Sequence, residues 1–200
     1  MGNRNDPPIR NISIEVLADD HYTLRKATFE YRQRNGEWKR QSREAYDRGN
    51  GAAILLYNRK RGTVLLTRQF RYPAYSNGLE GGMLIEACAG LLDEDDPETA
   101  IRREAEEETG YRLSHVQKLF AAYMSPGSVT EQLHFFIAEY SPGEKVSDGG
   151  GEEGSSEDIE VLEVPFAEAV AMIERGEIQD AKTIVLLYHA RVAGLFGQAF

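Results

Sequence analysis

The spacing of apolar residues along this 200-residue chain changes several times, and each change predicts an element. Residues 11–16 and 22–33 carry the alternation of extended chain. In the second segment Ala27, Phe29 and Tyr31 interleave with Lys26, Thr28, Glu30 and Arg32, the period of two of a strand with one buried face. Asn35-Gly36 marks a hairpin turn, so the return strand is expected from Glu37 to Tyr46. A hairpin this polar on one side is marginal alone and must lay its other face on something; a second copy of the chain is one candidate. Past Gly49-Asn50-Gly51, residues 52–57 and 63–69 read as buried strands joined by a basic turn ending at Gly62. Residues 83–89 read as a short apolar strand. Residues 114–124, 132–140 and 159–164 suggest three more, and 166–175 and 180–196 two amphipathic helices. The stretch 141–158, SPGEKVSDGGGEEGSSED, has no periodicity and is expected to be mobile.

One helix has both ends written in the sequence. Asp96-Pro97 reads as an N-cap and a first helical residue, and Thr109-Gly110 as the stop. Between them Glu104, Glu107 and Glu108 stand at i, i+3 and i+4 and share a face, while Glu106 points elsewhere. Like charges so spaced repel, and they sit at the negative end of the helix dipole. A hard divalent cation would relieve the repulsion, because Mg2+ takes oxygen ligands and is usually held by a few carboxylates plus substrate phosphates. The competing reading is a solvated acidic helix end. A calcium loop is a poor fit: Asp93, Asp95 and Glu104 match its positions 1, 3 and 12, but Pro97 and Glu98 stand where a ligand and a glycine belong.

Composition narrows the partners. A hydrophobic fraction of 41% is enough for a real core, whereas a net charge of −10 and a pI near 5.0 argue against nucleic acid or an anionic membrane as the main partner. No apolar run approaches the ~18 residues of a membrane span, and the start MGNRNDPPIR lacks the apolar centre of a signal peptide, so a cytoplasmic protein is expected. Cys88 is the only cysteine and is expected to be a small buried side chain. The histidines at 21, 115, 134 and 189 show no metal-ligand spacing.

Arg103-Glu104-Ala105-Glu106-Glu107-Glu108-Thr109-Gly110-Tyr111, with Gly90 upstream, resembles the signature of the Nudix hydrolase family, REUXEEXGU preceded by a glycine. Twelve residues separate Gly90 from Arg103, one fewer than usual, so the isolated acid of that signature maps to Asp95 or Asp96 and receives no role. The resemblance implies a Nudix-type α/β/α sandwich with a mixed sheet over residues 47–200, plus an N-terminal β-rich arm over residues 1–46. It implies metal ligation by the Ala89 carbonyl, Glu104, Glu108 and Glu157, holding Mg2+ or Mn2+, with Glu157 and Glu107 as catalytic residues. Arg103, one helix turn from Glu107, is expected to orient that carboxylate. The acids of a loop such as Glu152 and Glu153 need be no more than solvated charge.

Beyond the signature, SREAYDRGNGA, RQFR, ACAGLLD, YMSPG, HFFIAEY and SEDIEVLE resemble the GDP-mannose pyrophosphatase branch, in which the arm is exchanged across a homodimer. By position in that branch His21, Ser42, Arg43, Glu44, Arg71 and Glu131 are expected to touch substrate, Arg71 through phosphate oxygens that suit its planar fork. Pro126, sixteen residues after Gly110, is typical of members acting on ADP-ribose and related nucleotide sugars. The implied reaction is hydrolysis of the pyrophosphate bond of a nucleoside diphosphate sugar, GDP-mannose first, with ADP-ribose as the alternative. A binding module without activity would be expected to have lost acids of the signature, and Glu104, Glu107 and Glu108 are all present.

Overall fold

The computed structural model describes residues 8–92, 94–151, 154 and 157–197; Asp93, Glu152 and Glu153, considered above as loop acids, lie outside them. The chain forms two compact units, one of the residues up to Gly49 with Tyr123–Glu131, the other of Asn50–Ala122 with the residues from Gln132 onward.

In the first unit β1 (Ile9–Asp19), β2 (Thr23–Arg32) and β3 (Trp38–Asp47) form an antiparallel sheet in that order. The predicted hairpin is β2–β3, closed by a Gln33 N–H donating to Glu37 O at 2.8 Å. Gly36 takes φ +89° there, a conformation that a Cβ disfavours. Pairing places Ile14, Ala27 and Arg43 in one row and Ser13, Thr28 and Ser42 in the next; the pleat therefore puts these rows on opposite faces. Every residue of β1 is exposed, Ile14 at 64%, so among the described residues its apolar face has no core beneath it. Tyr123–Glu131 joins the far end of β3. Tyr46 N–H donates to Ser128 O at 2.8 Å, Thr130 N–H to Tyr46 O at 3.1 Å, and Thr130 Oγ1 to Asp47 Oδ1 at 2.9 Å.

The second unit holds β4 (Gly51–Asn58), β5 (Thr63–Phe70), α1 (Tyr72–Ser76), β6 (Met83–Glu86), β7 (Cys88–Leu91), α2 (Pro97–Thr109), β8 (Gln117–Tyr123, its last residue at the boundary), β9 (Gln132–Glu139), β10 (Glu160–Pro165), α3 (Phe166–Glu174) and α4 (Ala181–Val192). The sheet runs β10-β5-β4-β9-β8, with β6 paired to β5 and β7 to β4. It is mixed, since β4 and β9 are parallel while β4–β5 and β5–β10 are antiparallel. All eight residues of β4 are buried. Ala52, Ile54 and Leu56 share a cluster with Ala100, Ile101 and Ala105 of α2, and the alternate positions Ala53 and Leu55 face the other way, the side on which α4 covers the sheet. The α/β/α sandwich is thus as expected.

Three boundaries differ from those expected. Residues 83–89 form two strands, broken at Ala87, whose N–H donates to Thr183 Oγ1 of α4 at 2.6 Å and so leaves the sheet ladder. The last helix is Ala181–Val192 rather than 180–196: Asp180 is its N-cap, accepting from Thr183 N, and Ala193 is its C-cap. The first half of 141–158 is anchored: Ser141 and Glu144 form a capping box around a 3-10 turn, Pro142–Glu144, and Val146 N–H donates to Gly110 O at 2.8 Å.

Candidate active site

The acidic helix starts and stops where its sequence signals stand. Asp96 accepts from Glu98 N and Thr99 N, and Gly110 ends the helix at φ +79°. Its buried face then carries two carboxylates down to the sheet. Glu104 lies directly over Gly90: a Cβ added there would stand 2.1 Å from Glu104 Cδ and 2.5 Å from its Oε1. Gly90 is needed because its Cα hydrogens are what the Glu104 carboxylate packs against. One turn on, Glu108 is 4% exposed. Its neighbour on β7, the buried thiol of Cys88, hydrogen-bonds the carboxylate, while Glu108 Oε2 has no partner among the described residues. Burial pushes the Glu108 carboxyl up to about 7, the Cys88 bond opposing and the Glu104 charge reinforcing. The same burial pushes the Cys88 thiol upward, which keeps it a neutral donor.

These residues fit a hard divalent cation. An orphaned buried carboxylate oxygen, a second carboxylate seated on the adjacent glycine and the Ala89–Gly90 backbone of β7 lie together. Among the described residues no three His, Cys, Asp or Glu side chains enclose a common point.

Two features dock on this helix end. Gly150 N–H donates to Glu108 O at 2.9 Å and Gly151 N–H to Glu107 O at 3.2 Å, satisfying carbonyls that a helix C-terminus leaves open. Gly149 must be glycine, since a Cβ would stand 2.4 Å from Glu108 O. Glu157 then returns across Gly151, its Oε2 standing 2.5 Å from where a Gly151 Cβ would be. The loop that carries Glu157 is therefore tied to the backbone of the helix carrying Glu104 and Glu108. Arg103 donates to Asp95 Oδ2 and reaches Glu104 Oε1 at 3.8 Å; the Glu107 charge acts on it more weakly. Of the two acids left without a role above, Asp96 caps the helix and Asp95 holds the arginine.

Arg71 lies at the start of α1, and its Nε donates to Glu86 Oε2 at 2.7 Å. In the first unit Ser42 bonds Thr28 across the sheet at 2.9 Å, and Glu44 stands on the same face opposite Lys26. Arg43 leaves from the other face, folding its guanidinium onto Ser42 O and Gln41 Oε1. These three adjacent residues therefore cannot all read one base edge from one strand. His21 packs on Tyr22 at the β1–β2 turn, and Arg48 both covers the Tyr22 ring and pairs with Glu131 at 3.5 Å.

A family model described as the NUDIX domain matches residues 47–187. The chain belongs to the Nudix hydrolase family. A second model, described as the GDP-mannose pyrophosphatase NudK N-terminal domain, matches residues 8–46. Similar relatives include proteins named GDP-mannose pyrophosphatase from Pectobacterium atrosepticum, 58% identical over 96% of this chain and 98% of the relative. Those of Yersinia enterocolitica and Escherichia coli K12 are 59% and 55% identical, covering 94% and 92% of this chain and 97% and 95% of theirs. Among solved structures, one titled as an ADP compounds hydrolase shares the fold, with a TM-score of 0.68, 18% identity and coverage of 92% and 93% of the two chains.

In this Nudix hydrolase, sequence reasoning missed Glu86, which an apolar strand pattern hid. It also missed the contact of Cys88 with Glu108 and the glycine clasp at residues 149–151. A run of three glycines was a signal for close backbone approach, but nothing in it named the helix end as the partner.

Proposed function

We propose that this Nudix hydrolase cleaves GDP-mannose to GMP and mannose 1-phosphate, using Mg2+, with Mn2+ as a substitute. The observation that carries this reading is similarity over 94–98% of both chains to proteins named for that activity, the arm included. In this reading Glu104, Glu108, the Ala89 carbonyl and Glu157 hold the cation, which when bound neutralises phosphoryl oxygens and makes water more acidic. Glu157, exposed and carried by the clasped loop, accepts the proton of the attacking water. The water oxygen bonds to one phosphorus as the bridging P–O bond breaks. Arg103, held by Asp95, offsets part of the negative charge around Glu104 and Glu107 and leaves the rest for the cation.

Arg71 takes a phosphate oxygen through the part of its fork that Glu86 leaves open. His21, Ser42, Arg43, Glu44 and Glu131 are the further substrate contacts of this reading. Glu44 would accept from guanine N1–H and N2–H, a pattern adenine does not offer, with Ser42 beside it and Arg43 acting from the opposite face. An acceptor left unpaired in a dry site costs ~1–3 kcal/mol, so the preference over ADP-ribose should be roughly ten- to hundredfold. The arm of residues 1–46 is exchanged with a second subunit, on which it lays its open apolar face, and the protein works in the cytoplasm as a homodimer. No helix among the described residues is long and apolar enough to cross a membrane. Parallel steady-state kinetics on GDP-mannose and ADP-ribose at equal Mg2+ test the reading: a higher kcat/KM on GDP-mannose is expected, and a clear preference for ADP-ribose would overturn the substrate assignment.

A further inference from the structure

Glu86 ends the apolar strand β6 and is 3% exposed. A carboxylate so buried is costly unless it is paired, and this one has two cations. Arg71 Nε donates to Oε2 at 2.7 Å and Lys182 Nζ to Oε1. Lys182 also meets Asp180 Oδ1 at 3.0 Å. Asp180 in turn accepts from Thr183 N at 2.9 Å and Thr183 Oγ1 at 2.6 Å, and Thr183 Oγ1 accepts from Ala87 N. Two carboxylates and two cations thus make a neutral network. It runs from the first turn of α4 to the backbone two residues ahead of Ala89.

Lys182, Asp180 and Thr183 are enough to tie α4 to the sheet, so the tie leaves Arg71 unexplained. Its backbone is fixed independently, the N–H donating to Gly82 O at 2.8 Å. Gly82 cannot carry a side chain, because a Cβ would stand 2.6 Å from Phe70 Cε2 and 2.7 Å from Tyr75 Cβ. The side chain of Arg71 is 39% exposed and is gripped through Nε alone; its two Nη groups have no hydrogen-bond partner among the described residues. A purely structural arginine–carboxylate pair would favour the two-pronged arrangement. Here the carboxylate holds the stem side of the fork and leaves the outer edge for another anion. The charges of Arg71 and Glu86 both act on Glu108, in opposite senses, so the arginine lies within electrostatic reach of the carboxylate pair.

We propose that Glu86 is a positioning residue, which holds the Arg71 guanidinium with its outer edge towards the substrate diphosphate while Lys182 balances the buried charge. The proposal rests on the reading of Arg71 as a phosphate contact. Because orientation is set before substrate arrives, less freedom is lost when the phosphate binds.

A double-mutant cycle on the full chain tests it, with GDP-mannose titrated calorimetrically in EDTA so that binding is read without turnover. Arg71→Ala should weaken binding by about tenfold or more, as expected for losing a hydrogen bond to a charged group. Glu86→Gln should weaken it by about three- to tenfold on the same scale, and should weaken it no further in the Arg71→Ala background. Equal losses in both backgrounds, or an unchanged Kd for Glu86→Gln, would overturn the positioning role while leaving Arg71 as a contact. An unchanged Kd for Arg71→Ala would overturn the phosphate reading and the positioning role together. If Glu86→Gln does not fold, Glu86→Asp keeps the charge but withdraws it by one methylene. It should show the same non-additivity with Arg71→Ala, and additivity there would count against the proposal.

Discussion

β4 is apolar along nearly its whole length and β1 carries an apolar face, yet every residue of β4 is buried and every residue of β1 is exposed. The difference lies in the layers. β4 has α2 on one face and α4 on the other, so Ile54 and Leu55 both leave water; among the described residues β1 has an edge neighbour, β2, and no second layer. Hydrogen bonds along a strand satisfy its backbone but bury little side chain, and only a second layer removes apolar area from water, at roughly 25 cal/mol per Å2. The unit built on β4 therefore has what it needs to hold a preorganised site. The three-stranded arm keeps an open apolar face of the kind that marks an interaction surface.

Placing one charge in each strand should break or sharpen this contrast most. Ile54→Asp buries an unpaired carboxylate, which costs several kcal/mol against a typical total stability of about 5–15 kcal/mol, and no cooperatively folded protein is expected. Ile14→Asp should leave circular dichroism and the thermal midpoint nearly unchanged and shift the mass in light scattering from dimer to monomer. A folded Ile54→Asp protein would undo the contrast, and an intact chain that is already monomeric at micromolar concentration would undo the proposed dimer.

Chemistry should follow the same division. Glu108→Gln keeps the shape of α2 and removes a charge on which the proposed cation site depends. Since such an ion is worth several kcal/mol of transition-state stabilisation, kcat/KM should fall at least about a hundredfold, with the mass unaltered. Near-normal turnover at saturating Mg2+ would remove this residue from the site.

The smallest effect separates the two regions by the sign of their pH dependence. In metal-free protein the Glu108 carboxyl is raised from 4.5 to about 7, so the folded state keeps a proton that the unfolded chain has lost. Its contribution is fully present below about pH 4.5 and is lost as pH rises through about 7. In the arm, the hydrogen bond from Arg25 holds the Asp47 carboxyl below its ordinary range, so that contribution is present above about pH 3.8 and disappears on further acidification. Urea midpoints measured in EDTA should decline between about pH 5 and about pH 7, and less steeply in Glu108→Gln. Identical slopes would place the titrating group elsewhere.

The limits of α2 are legible in the sequence alone, because Asp96-Pro97 and Thr109-Gly110 act on backbone groups within a turn of themselves. The β2–β3 hairpin is legible for the same reason, and so is the common face of Glu104, Glu107 and Glu108, which follows from 3.6 residues per turn. Tertiary structure alone decided which of those acids would be desolvated. Glu108 is buried because Cys88 and the sheet lie under it, whereas Glu107, one residue away, stays partly exposed. It alone decided that residues 83–89 break at Ala87 and that Glu86 pairs with Lys182, 96 positions later. Local signals reach as far as one turn or one loop. The charge network of Glu86 depends on β6, α1 and the start of α4 meeting at one point, and no pattern confined to a single segment of sequence carries that meeting.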